Sequence, residues 1–170
     1  MDALRIYSFA AHARADARLL ILGSMPGAAS LSAQQYYAHP RNSFWPIMAT
    51  LCDFQADLPY PERLQQLSQH HIALWDVMAT CVRSGSLDAA IRTETVVANP
   101  LGDFLSAHPW IVRIAFNGQA ALTAFRRHVQ PTLSAAQQRL EHIALPSTSP
   151  AHAALSVAEK CARWQAALDL

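Results

Sequence analysis

The chain is 170 residues long and short of charge. Asp, Glu, Lys and Arg make up only 15% of it, and the formal net charge is +1. A strongly basic coat for nucleic acid is excluded, and so is an acidic tail. Any nucleic-acid contact must come from a local patch, with few phosphate contacts and a shallow salt dependence. Cysteine is scarce as well. Cys52, Cys81 and Cys161 lie far apart, are odd in number and form no C-x-x-C pair. That excludes a disulfide framework, a zinc knuckle and an iron–sulfur cluster, and fits the reduced thiols of a cytoplasmic protein. Long apolar runs are missing. The first 18 residues carry His12, Arg14, Asp16 and Arg18, so neither a signal peptide nor a membrane span is expected. The chain has no internal repeat, no low-complexity tract and no linker. Glycine is limited to five residues, which makes their positions informative.

What is present is apolar. Hydrophobic residues reach 52%, the reverse of a disordered composition. Residues 1–170 are expected to form one domain, in a size range that buries ~70% of the unfolded surface. Short apolar runs predict strands over Arg18–Gly23, Ile72–Val77, Trp110–Phe116 and His142–Leu145. Helical spacing predicts helices over Ser43–Leu51, Pro61–His70, Pro100–Ala107, Gly118–His128 and Ala153–Leu168. In the last, Ala154, Val157, Cys161, Trp164 and Leu168 form the expected inner face, with Glu159, Lys160 and Arg163 off it. The alternation predicts an α/β fold with a mainly parallel sheet covered on both faces.

Ligands in such folds sit beyond the carboxyl ends of the strands. Those ends carry Gly23-Ser24-Met25-Pro26-Gly27, Trp75-Asp76, Asn117-Gly118 and Pro146-Ser147-Thr148-Ser149-Pro150. Three of the five glycines lie in these turns, where backbone can approach a ligand or adopt positive φ. The first turn lacks the Lys-Ser/Thr of a P-loop. Ser24 as an esterase nucleophile would need a base, for which His152 is the best candidate. Asp76 ends an apolar strand, so its carboxylate needs a donor: a backbone N–H, Arg83, or the N–H of a bound base. Asn117 is a base-binding or helix-capping residue. The segment Tyr36-Tyr37-Ala38-His39-Pro40-Arg41-Asn42-Ser43-Phe44-Trp45 sets aromatics beside amide and guanidinium groups, which suits a planar heterocycle. Phe44 and Trp45 fit the core, and Ser43 or Asn42 fits a helix cap. The hydroxyls of Ser147, Thr148 and Ser149 suit a phosphate, or else a helix start. Gly85-Ser86-Leu87-Asp88 reads as another cap.

Together these segments resemble the uracil-DNA glycosylase superfamily over roughly residues 19–165. The Gly23–Gly27 turn is similar to its first motif, Ala38–Trp45 to the Ala-His-Pro-x-Asn-x-Phe-Trp of its mismatch-specific branch, and Pro146-Ser147 to its second motif. Two departures matter. Met25 stands where most branches place a water-positioning Asn or Asp, and Leu145 where many place a His. That combination resembles the hypoxanthine-DNA glycosylase branch. The resemblance implies a three-layer α/β/α sandwich around a short four-stranded sheet, acting on double-stranded DNA that holds a deaminated base; nothing in the sequence suggests more than a monomer. It implies base flipping and no metal, cofactor or lyase step. It assigns catalysis to Asn42, base binding to Gly23, Ser24, Met25, Tyr37, Asp76 and Asn117, and phosphate contact or duplex wedging to Ser147, Thr148, Ser149 and His152. Ala151 and His152 offer the wedge no large apolar side chain. The competing expectations are a uracil or thymine mismatch glycosylase and a catalytically silent DNA-binding module.

Overall fold

The computed structural model describes residues 4–170. Met1, Asp2 and Ala3, part of the stretch read for targeting signals, lie outside the described residues. In chain order the elements are β1 (Leu4–Tyr7), β2 (Leu19–Gly23), α1 (Ala28–Ala33), α2 (Phe44–Leu51), α3 (Tyr60–Gln69), β3 (Ile72–Asp76), β4 (Met78–Arg83), β5 (Ile91–Ala98), α4 (Leu101–Ala107), β6 (Arg113–Asn117), α5 (Gln119–His128), α6 (Ala135–Gln138), β7 (Glu141–Leu145) and α7 (Val157–Leu168).

Four of the strands form the expected parallel sheet, in the order β3-β2-β6-β7. β2 and β3 are buried along their whole length, as strands covered on both faces must be. Side chains alternate across the pleat. Leu20 and Leu22 point into one core with Leu101 and Leu105 of α4, and with Leu122 and Phe125 of α5. Leu19 and Ile21 point into the other, with Phe44, Ile47 and Met48 of α2, Leu67 of α3, and Trp164 and Leu168 of α7. The result is three layers, α/β/α.

Register fixes what the strand ends present. Gly23 pairs with Asp76, Leu22 with Phe116 and Asn117 with Leu145. Asp76, Gly23, Asn117 and Leu145 therefore form a row across the carboxyl edge of the sheet.

A second sheet is not foreseen from the strand pattern. It is antiparallel, in the order β1-β4-β5. β5 is mostly exposed, and Leu4 and Tyr7 of β1 are open to solvent, so no apolar run announces it. Two expected boundaries also shift. The third parallel strand begins at Arg113, leaving Trp110 65% exposed. The last helix begins at Val157, where Ser156 and Glu159 form a capping box. Its inner face is Lys160, Trp164 and Leu168, with Val157 turned outward. Lys160 is buried because its ammonium donates to the Ser149 carbonyl at 3.1 Å. Among the described residues, no helix is long and apolar enough to cross a membrane.

Candidate active site

Above the row of strand ends lies a cavity of about 270 Å³. Its lining brings together Gly23, Ser24, Met25, Tyr37, Asn42, Asp76, Asn117, Ser147, Thr148 and Ser149. Of the expected site residues only His152 is outside it; its N–H bonds the Ser149 carbonyl at 3.0 Å within the loop.

Asp76 sits at the bottom, 3% exposed. Its Oδ2 is buried without a hydrogen-bond partner. Burial, with the charge of Asp88 added and Arg83 opposing, pushes the carboxyl up to about 7. Among the described residues, neither a backbone N–H nor Arg83 donates to it. Arg83 is turned to the Pro26 carbonyl at 2.6 Å and the Gly85 carbonyl at 2.9 Å. The hydroxyl of Tyr37 is the other buried, unpartnered polar group here. Burial and then the Asp76 charge raise its pKa, while the nearby Asn117 amide lowers it without completing a hydrogen bond. Tyr37 adopts φ +55°, which turns its ring toward the cavity, and Phe44 stacks on it at 4.0 Å and 24°. Gly23 keeps the space open. A Cβ there would lie 2.6 Å from Asp76 Oδ1 and 3.0 Å from the Tyr37 hydroxyl. Native proteins rarely leave buried polar atoms unpaired, so this pair points to a ligand.

Asn42 precedes α2. Its Oδ1 accepts the Phe44 N–H at 3.0 Å in a turn just ahead of the helix, whose N-cap is Ser43 without a side-chain capping bond. Ser43 instead gives its N–H and hydroxyl to the Thr148 carbonyl, at 3.0 and 3.2 Å. With its oxygen held, the Asn42 amide has its N–H donors left to offer.

The Pro146–Pro150 loop is clamped from below. Asn117 Nδ2 donates to the Thr148 hydroxyl at 2.9 Å, and its Oδ1 accepts the Thr148 N–H at 2.9 Å. Thr148 is 1% exposed, so it anchors the loop and does not face a phosphate. Asn117 lines the cavity with both ends of its amide committed to that anchor. Ser147 and Ser149 accept N–H groups two residues ahead, at 3.1 and 3.2 Å, and keep the loop in tight turns. Gly118 has φ +95°, and a Cβ there would come within 2.9 Å of Ser147 Cβ.

The family model of the uracil DNA glycosylase superfamily matches residues 10–169. The chain belongs to this superfamily. Among its relatives are hypoxanthine DNA glycosylases of Methanosarcina barkeri and Methanosarcina acetivorans, each 35% identical. These alignments run over 106 and 107 residues, 61% and 62% of this chain. The matched part spans just under two thirds of each relative, 65% and 66%. A solution structure from Methanosarcina acetivorans, provisionally assigned as a uracil DNA glycosylase, superposes with a TM-score of 0.77 at 30% identity. It covers 97% of this chain and 99% of that one.

On this superfamily fold, sequence reasoning missed one part of the site. The turn between β4 and β5 brings Ser86, Leu87 and Asp88 to the cavity rim. Its Gly85-Ser86-Leu87-Asp88 motif was legible only as a cap, and its destination depends on the second sheet. The Ser86 hydroxyl accepts the Ala28 N–H at 3.0 Å, and Asp88 accepts the Ser24 hydroxyl at 2.8 Å. Ser24 is thereby bonded to a carboxylate and not to His152, so the esterase arrangement is not formed.

Proposed function

We propose that this chain is a DNA glycosylase that extrudes a deaminated base from duplex DNA, deoxyinosine first, and hydrolyses its N-glycosidic bond to leave an abasic site. The observation that carries this reading is the buried, unpartnered Asp76 carboxylate facing the space that Gly23 keeps open. Hypoxanthine presents N1–H as a donor, and adenine presents N1 as an acceptor. Above about pH 7, where Asp76 is ionised, its carboxylate accepts the first and repels the second, and a site that leaves its buried polar group unpaired rejects the wrong base strongly. The names of the two Methanosarcina relatives support the same base.

The other residues take complementary roles. Extrusion costs a few kcal/mol, less at a mispaired base. Stacking on Tyr37, backed by Phe44, returns ~1–3 kcal/mol. Ser147 and Ser149 line the cavity from the clamped loop, and in this reading their hydroxyls meet the flanking phosphates. As the bond to C1′ breaks, negative charge builds on the departing purine. Asn42 meets it with an N–H, because its oxygen is held by Phe44. An amide is no strong base, and an oxocarbenium-like transition state needs none at the leaving group.

The test uses end-labelled duplexes holding one deoxyinosine or one deoxyuridine. Each is incubated with the wild-type chain or with Asn42→Ala, then treated with alkali to cut abasic sites. The expected result is cleavage at deoxyinosine, reduced ~10²-fold in the variant with little loss of DNA binding. Cleavage mainly at deoxyuridine overturns the base assignment. No cleavage of either leaves a DNA-binding module, and equal activity of the variant removes Asn42 from catalysis.

A further inference from the structure

Two carboxylates line the cavity, and they stand at different depths. Asp76 lies at the sheet edge, almost inaccessible, whereas Asp88 is exposed on the rim. Asp88 is nevertheless held in place. Its Oδ1 accepts the Ser24 hydroxyl at 2.8 Å. The turn that carries it is tied to the first motif by Arg83 at the Pro26 carbonyl and by Ser86 at the Ala28 N–H. The Asp88 charge is felt inside, since it raises the pKa of both Asp76 and Tyr37. A carboxylate has about four acceptor positions, and Ser24 occupies one.

An extruded nucleotide enters base first. If its base edge meets Asp76, its sugar lies between the base and the rim. The positive charge of an oxocarbenium ion then develops at C1′, on the Asp88 side of the cavity. Among the described residues, no other lining residue supplies a negative charge there: Met25 is a thioether, Asn42 a neutral amide, and Ser24 donates to Asp88 itself. Resting on the glycosylase reading, we propose that Asp88 is a further catalytic residue, whose carboxylate stabilises the C1′ cation and accepts a proton from the attacking water. The C1′–N9 bond breaks and its electron pair leaves with the purine. The water oxygen bonds to C1′ and gives one proton to Asp88. Asp88 releases that proton to solvent, and solvent protonates the purine anion.

The experiment compares Asp88→Asn, Asp88→Glu and Ser24→Ala with the wild type on a deoxyinosine duplex under single-turnover conditions. Binding is read separately on a duplex carrying 2′-fluoro-2′-deoxyinosine, which resists cleavage. Asparagine can still accept from Ser24 but has lost the charge. The expected result for Asp88→Asn is a rate lower by ~10²–10³-fold, with binding and melting temperature unchanged. Asp88→Glu should keep more activity than Asp88→Asn, and Ser24→Ala should lose less than ~10-fold. Near wild-type turnover by Asp88→Asn overturns the proposal. So does an equal loss in Asp88→Asn and Ser24→Ala accompanied by weaker binding, which would make Asp88 only a tie between two turns. A wild-type chain that binds the duplex but cleaves nothing removes the glycosylase reading and this proposal together. An active wild type with an active Asp88→Asn removes this one alone.

Discussion

At the end of β3 the chain keeps a nearly buried carboxylate that no donor among the described residues meets. The free protein is less stable for that, and the sign follows from the pKa. Asp76 titrates near 7 folded and near the ordinary 3.8 unfolded. The folded state therefore binds more protons between these values, and stability falls as pH rises from about 4 to about 7. Asp76→Ala should remove this dependence. Its melting temperature should match the wild type near pH 4 and exceed it at pH 8, by an amount equivalent to a few kcal/mol. Thermal melts across that range check it; a variant less stable than the wild type at pH 8 would mean that Asp76 has a structural partner. Most of this residue-level site was legible in the sequence, because a strand end, a glycine turn and a carboxylate after an apolar run are local signals. The double role of Asn42 was legible only as two alternatives. The reach of Arg83 to the Pro26 carbonyl and of Lys160 to the Ser149 carbonyl was not legible, since the first lies distant in sequence and the second off the helical pattern.

Among the elements, the link between β6 and the Pro146–Pro150 loop carries most of the shape of the cavity. Asn117 holds Thr148 by two hydrogen bonds, and Ser43 before α2 holds the same residue by its carbonyl. Trp164 of α7 reaches under the loop to the Pro146 carbonyl at 2.9 Å. The loop is thus fixed from three elements at once. Asn117→Ala should cost ~2–3 kcal/mol, because two bonds vanish and buried groups of Thr148 are left unpaired. Urea unfolding checks this, with a lower midpoint at unchanged slope; a change under about 0.5 kcal/mol would show that the clamp is not stabilising. The parallel strands and their helices were readable from buried runs and 3.6-residue spacing. β1, β4 and β5 were not, because their pairing is long-range, their faces are half exposed, and β4 follows β3 after a single residue. The Ser86–Asp88 turn went with them.

Across the whole molecule, strand register is what assembles the site. Residues from six separate stretches meet because β2, β3 and β6 end level with one another, with β7 beside β6. The composition agrees with a protein that works through one concave patch, since a net charge of +1 offers no field to hold DNA at a distance. The central claim is that this patch receives an extruded base whose N–H is met by Asp76. Its most direct test is base release under single-turnover conditions, from duplexes holding deoxyinosine or deoxyadenosine at one position, by the wild type and by Asp76→Ala. The account predicts that the wild type releases hypoxanthine and not adenine. It also predicts that Asp76→Ala loses ~10–100-fold on deoxyinosine, the worth of one hydrogen bond to a charged group. Release of hypoxanthine by Asp76→Ala at the wild-type rate would contradict it.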